Sequence, residues 1–243
     1  SRDSKKEKRD EWQRRPMLFE RQEIPHFYAL RKDMTEVLEA MEQKMSTLQN
    51  MGPLKALGMD GLNALFFQKN WETVGPSVRT IIRKMWWDGV VLSRVNQTLI
   101  TLIPKVENPN TIKQFRPISL LNVIYKLFTK ILVNRMKHTL SDLIHPAQAS
   151  FVPGRHITDN IVVAQELIHS MRCMRGAKGY MVIKVDLEKA YDYLRWDFIE
   201  ETLRLAGYPD QLIIAIMPCI SSASMSLLWN GSSGEEFSPT RPW

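Results

Sequence analysis

The stretch Met181-Val182-Ile183-Lys184-Val185-Asp186 constrains this chain more than any other. A short apolar run rich in β-branched residues reads as a strand. It ends on a carboxylate, Asp186, with Tyr191 five residues further on. A carboxylate at the lip of a strand, followed by a turn, can offer its side chain and the next backbone carbonyl to a hard cation such as Mg²⁺. Two-metal phosphoryl transfer needs at least two such acids within reach of ions ~4 Å apart. Glu188, two residues past the strand end, turns toward solvent, and Asp192 orders the turn into the next helix, so both are poor partners. No better carboxylate pair follows before Trp243. A strand-end aspartate taken alone is more often structural than catalytic; its neighbours shift that balance. Tyr191 stands where a flat ring could close under a nucleotide sugar and clash with a 2′-hydroxyl. A core tyrosine is the alternative reading.

With 243 residues and 44% apolar content, the chain can form one large or two small domains with a sizeable core. A net charge of +7 suits a polyanionic partner, nucleic acid before a membrane surface; a basic solvated face would give the same sum. Cys173 and Cys219 form no CxxC pair, which suggests structural thiols and a reducing compartment. The five histidines lack metal-ligand spacing, and no zinc is expected. No apolar stretch reaches the ~18–20 residues of a membrane span. No signal peptide is visible, so a nuclear or cytoplasmic protein is expected rather than a secreted one.

Residues 1–23 are charged with few aliphatics and read as a solvated arm. Leu30, Met34, Val37, Leu38, Met41, Met45 and Leu48 follow helical spacing until Gly52-Pro53 breaks it. The block Lys55–Gly61 is a turn before a helix over 62–71, and a second helix is expected to start at Pro76 and run to Trp87. Gln97 to Ile103 alternates as a strand closed by Pro104-Lys105, followed by a polar loop and the run Phe115-Arg116-Pro117-Ile118-Ser119-Leu120-Leu121. Ile124, Leu127, Phe128, Ile131, Leu132 and Met136 form one stripe of a helix over 123–140. A loop over 151–155 precedes a helix capped by Thr158-Asp159-Asn160 and reaching about Met174. Helices are expected over 195–206, ended by Gly207, and from Pro209-Asp210 to Cys219. Ser224–Trp229 reads as a strand, Gly231–Gly234 as its hairpin turn and 235–238 as the returning strand.

Lys105 and Arg116 bracket the loop after the first strand, a place where a phosphate clamp could form: Arg grips phosphate oxygens through paired hydrogen bonds and Lys acts as a point charge. Spacing alone makes this a weak signal. Phe151-Val152-Pro153-Gly154-Arg155 is not a Walker loop, and no GxSxG or Cys–His nucleophile pattern occurs.

These blocks, taken in order, resemble the reverse transcriptase of plant LINE-type (non-LTR) retrotransposons over residues 54–240. Lys55–Gly61 is similar to that family's KAPGPDG, with Leu57 and Met59 in place of its prolines. Leu102-Ile103-Pro104-Lys105 with 115–120 resembles the first fingers motif. Gln148-Ala149-Ser150-Phe151-Val152-Pro153-Gly154-Arg155 with Ile157-Thr158-Asp159-Asn160 resembles the second, and Lys184–Asp192 the first catalytic motif of the palm. The resemblance implies that Asp186 is a catalytic, metal-holding aspartate and that Leu187 lends its carbonyl to the metal. It implies that Lys189 and Ala190 offer backbone N–H groups to the triphosphate, and that Tyr191 is the sugar gate. Lys105 and Arg116 would be phosphate contacts, and Gln148, Phe151, Gly154 and Arg155 part of a template-contacting segment. The implied partners are an RNA template, a DNA primer and dNTP, with two Mg²⁺ ions. Tyr193 departs from the family's usual basic or small residue.

The expected architecture is α+β: right-hand polymerase fingers with a partial palm, helix-rich with a small incomplete antiparallel sheet. Residues 1–45 form a poorly matching arm and helix, 46–178 a fingers-like region and 179–243 a partial palm. The family's glycine-rich segment and its Y/F-A-D-D hairpin would follow Arg241, where Pro242-Trp243 stands. The chain alone is therefore expected to be inactive and, with apolar sheet uncovered, marginally stable. A non-catalytic RNA- or DNA-binding remnant is the rival reading.

Overall fold

The computed structural model describes residues 46–54, 56–145, 148–174, 181–183 and 193–239. Within them the chain runs α1 (Ser46–Gln49), α2 (Ala64–Lys69), α3 (Trp71–Asp88), β1 (Gln97–Pro104), a 3₁₀ turn (Ile112–Gln114), β2 (Phe115–Leu121), α4 (Val123–Leu143), α5 (Ile157–Cys173), α6 (Trp196–Leu205), α7 (Asp210–Ser221), β3 (Ser224–Trp229) and β4 (Ser232–Phe237). This is the α+β, helix-rich architecture that the sequence suggests.

The sheet has the order β2-β1-β3-β4. It is mixed, which corrects the expected antiparallel sheet: β1 and β3 pair parallel, while β1–β2 and β3–β4 are antiparallel. A parallel neighbour requires a crossover, and here the helices between β2 and β3 provide it. The sheet thus joins strands from both stretches that the sequence reading separates at residue 178. Pro117 sits in β2, opposite Leu102. Ladder bonds alternate along an antiparallel pair. Counting from the bond of the Lys105 N–H to the Gln114 carbonyl, 2.8 Å, position 117 is a non-bonded one. On this edge strand the missing proline N–H therefore costs no ladder bond.

Several boundaries differ from expectation for local reasons. The hairpin turn is Asn230-Gly231, with φ of 49° and 81°, not Gly231–Gly234. Two left-handed residues make the tight turn whose twist matches the strands it joins. Helix α3 begins at Trp71, so Pro76 lies inside it rather than at its start. Helix α5 begins at Ile157 with His156 at the cap position, and Thr158, Asp159 and Asn160 fall in its first turn. Residues 181–183 are not in a strand, and no described strand pairs with them. The rest of the strand expected there, and the helical spacing over 27–45, lie outside the described residues.

The core lies where α3, α4 and α7 meet. Met85, Phe128, Leu212 and Ile213 are at most 2% exposed there, with Trp86, Leu127 and Leu132 packed in the same cluster. Buried polar bonds tie the helices together. The Tyr125 hydroxyl donates to the Cys219 carbonyl at 2.8 Å, and the Thr139 and Tyr208 hydroxyls lie 2.7 Å apart. Burial raises both tyrosines and pushes the Cys219 thiol up to about 12. Cys219 thus fits the expected structural thiol, whereas Cys173 is exposed. Helix α5 buries none of its residues, and Ile161, Leu167 and Ile168 face outward. Among the described residues, no helix is long and apolar enough to cross a membrane.

Candidate nucleic-acid interface

The β1–β2 hairpin builds the first part of the site. Antiparallel partners project to the same side of a sheet, and Arg116 is paired with Ile103. Continuing that register past the end of β1 sets Lys105 against Gln114, so Lys105 and Arg116 are diagonal neighbours on one face, about 7–8 Å apart in such a ladder. Both are exposed. The loop between them is fixed by Gln114, whose side-chain oxygen accepts from the N–H groups of Asn110 at 2.6 Å and Thr111 at 3.1 Å. The Lys105 ammonium donates to the Lys113 carbonyl at 3.0 Å, which anchors its stem to this loop. Two cations read from the sequence as a possible clamp are thus placed side by side at the end of a ribbon.

The 56–61 turn docks on the residue joining β2 to α4, at the other end of β2 from Arg116. Asn122 is 3% exposed. Its side-chain oxygen accepts from the Asp60 N–H at 3.3 Å, and its amide donates to the Arg94 carbonyl at 2.8 Å. Asp60 in turn accepts from the Leu62 N–H at 3.1 Å. The backbone passes so close that a Cβ on Gly58 would lie 2.6 Å from the Asn122 nitrogen and 2.7 Å from its Cα. Gly58→Ala is expected to destabilise the chain by about 1–3 kcal/mol, the usual cost of forcing atoms into a packed contact. A urea midpoint matching that of the parent chain would contradict the close approach. Asn122 was missed from the sequence: before a helix it reads as a cap, yet its side chain makes no cap bond and serves the turn instead.

The 148–155 loop forms the second part. Ala149 and Val152 are buried and anchor it, while Phe151 between them is 84% exposed with a φ of 64°. Gly154 is also left-handed, with open space around it. Gln148 is exposed, and its N–H donates to the His145 carbonyl at 2.9 Å. Arg155 turns back on the end of α4 and donates to carbonyls there and in the loop beyond it.

Asp186, Leu187, Lys189, Ala190 and Tyr191, with Glu188 and Asp192, lie outside the described residues, as does Lys55. Among the described residues no group of three His, Cys, Asp or Glu side chains could hold a metal ion. Some of the positive charge is engaged elsewhere. Arg135 lies 5.1 Å from the centre of the Trp86 ring, and Arg204 pairs with Glu200 and Asp210. Arg195 pairs with Asp197, and their hydrogen bond holds the carboxyl below its ordinary range.

The family profile described as reverse transcriptase (RNA-dependent DNA polymerase) matches residues 103–240, more than half of the chain. The "Transposon TX1 uncharacterized 149 kDa protein" of Xenopus laevis is 30% identical over 209 residues, covering 86% of this chain and 16% of that protein. The "Retrovirus-related Pol polyprotein from type-2 retrotransposable element R2DM" of Drosophila melanogaster is 27% identical over 162 residues, covering 66% of this chain and 15% of that protein. The chain thus spans about a sixth of the length of these relatives. Both similarities support a non-LTR type.

Proposed function

We propose that this chain, which belongs to the reverse transcriptase (RNA-dependent DNA polymerase) family, contributes the template- and nucleotide-holding part of a non-LTR, LINE-type enzyme of plant origin and is inactive by itself. The observation that carries the binding role is the hairpin register that sets Lys105 beside Arg116. In the intact family reaction, a primer 3′-hydroxyl attacks the α-phosphate of a dNTP, and catalysis is largely positioning and charge stabilisation. Lys105 and Arg116 would neutralise phosphate oxygens. Tyr191 would exclude ribose, and the N–H groups of Lys189 and Ala190 would orient the triphosphate. Asp186 and the Leu187 carbonyl are hard oxygen donors of the kind Mg²⁺ takes. The ion would supply charge stabilisation at the reacting phosphate. One aspartate is too few to hold two ions, and the 243 residues contain no Y/F-A-D-D hairpin, hence the proposed inactivity. A nuclear or cytoplasmic site fits such a role.

The binding role is tested by the salt dependence of affinity for a single-stranded RNA. Each neutralised phosphate contributes a slope of about −0.7 in log K against log salt on single strands. Lys105→Ala and Arg116→Ala are each expected to weaken binding and flatten the slope by about 0.7. Affinity independent of salt, or slopes unchanged in both variants, would remove this reading.

A further inference from the structure

Parallel pairing of β1 with β3 brings two chain reversals to one end of the sheet. Both strands run toward that end, so the Asn230-Gly231 turn lies beside the β1–β2 connection that Lys105 and Arg116 flank. An antiparallel pair would have sent the turn to the opposite end. The last pair of the β1–β3 ladder is Thr101 with Leu228. One step further, the register sets Trp229 beside Leu102, and Leu102 is paired with Pro117, the neighbour of Arg116. Side chains alternate along a strand. Trp229 therefore shares its face with Leu102 and Pro117, while Arg116 points to the other face of a sheet one backbone layer thick.

The Trp229 ring is open at this end. Its face is covered only near the start of β1: Thr98 and Ile100 are buried, Leu102 is half-buried and Pro104 exposed. On β3, Trp229 is 57% exposed. Across the hairpin it is paired with Ser232, a side chain too small to cover an indole. Among the described residues, the indole takes part in no hydrogen bond and no ring contact. Its backbone is held by the β3–β4 ladder just before a tight turn, which fixes the ring's position.

The charge at this end is cationic. Lys105, Lys113 and Arg116 are exposed there, against Glu107 in the same connection. The carboxylates of β4, Glu235 and Glu236, sit in the half of that strand away from the turn. Glu236 is tied to Gln97 at 3.1 Å and Ser224 at 2.9 Å, toward the start of β1. Cations that track phosphates, with an open aromatic ring beside them, are the combination that holds single strands, because every unpaired base has a π-face.

We propose that Trp229 is a base-stacking residue for single-stranded nucleic acid: a strand whose phosphates meet Lys105 and Arg116 passes over the end of the sheet and lays an unpaired base on the Trp229 indole. This rests on the nucleic-acid reading above and adds a contact that the sequence reading does not contain.

The test is affinity for a short single-stranded RNA and for a blunt-ended RNA duplex across a salt series, with tryptophan emission followed on binding. The variants are Trp229→Ala, Trp229→Phe and Trp87→Ala, the last removing an indole that is 53% exposed on α3. Trp229→Ala is expected to weaken single-strand binding about 5- to 100-fold, the range of one lost stacking contact, with the salt slope and the duplex affinity unchanged. Trp229→Phe keeps a ring in the strand and is expected to stay within about 5-fold of the parent chain, while losing most of the emission change that RNA causes in the parent. Trp87→Ala is expected to match the parent in affinity and to keep the emission change. Trp229→Phe is a conservative change at an exposed strand position, so the emission readout decides the matter even where Trp229→Ala does not fold. Parent-like single-strand affinity in Trp229→Ala, an equal loss on the duplex, or an emission change retained in Trp229→Phe would overturn the stacking role and leave the Lys105–Arg116 reading standing. A dimer of the parent chain that Trp229→Ala dissolves would assign the ring to a second copy and overturn the stacking role as well. An absence of salt-sensitive RNA binding by the parent chain would overturn the nucleic-acid reading itself, and the stacking role with it.

Discussion

Truncation of Phe128 to alanine is expected to remove about 3–5 kcal/mol of stability. Phe128 is 0% exposed, in the second turn of α4, in the cluster that includes Met85, Trp86, Leu212 and Ile213. Deleting the ring loses its transfer free energy and leaves a cavity that helices tied by the Tyr125–Cys219 and Thr139–Tyr208 bonds can close only in part. Domains are stable by about 5–15 kcal/mol in all, so the loss is a large share of the total. Urea unfolding followed by tryptophan fluorescence measures it, since Trp86 lies in the same cluster. Ile112→Ala is the control: that side chain is 82% exposed, and its loss should stay within about 0.5 kcal/mol. A loss below about 1 kcal/mol at Phe128 would mean that α4 is not the packed centre. The effect bears on function because α4 connects the end of the β2 ribbon to the loop that Arg155 clamps.

What was legible in the sequence was local. The stripe from Ile124 to Met136 gave α4, and alternation located β1 and β3, the latter with the boundaries Ser224 and Trp229. Each depends on the periodicity of its own residues. What was not legible depends on partners distant in sequence. The parallel β1–β3 pairing joins Gln97 to Ser224 across the intervening helices, and nothing in either strand specifies the other. The run 115–121 carries no strand signal of its own that survives Pro117, and it pairs because on an edge and at a non-bonded position a proline is tolerated. The Asn230-Gly231 turn is readable in principle, since that pair is the strongest short hairpin signal, although the neighbouring Gly231–Gly234 cluster offers a competing turn.

The site divides in the same way. Lys105 and Arg116 could be named from the motifs that carry them, while their adjacency depends on the hairpin register. Asn122 and Arg155 act on backbone atoms: an N–H group and carbonyls contributed by residues of any type. Side-chain identity along the chain carries no trace of such partners. The resemblance therefore names Arg155, while only the structure shows that it meets four carbonyls.

The second large effect is all-or-none, and it is the most direct test of a nucleic-acid-holding chain that cannot polymerise alone. A labelled DNA primer annealed to an RNA template is incubated with the purified chain, dNTP and Mg²⁺, beside Asp186→Asn, and both complex formation and primer length are read. On the proposed reading, the expected result is a salt-sensitive complex with both proteins and extension by neither, because Asp186 by itself would not hold two metal ions. Extension by the parent chain that disappears in Asp186→Asn would contradict the account, as would the absence of any complex at low salt.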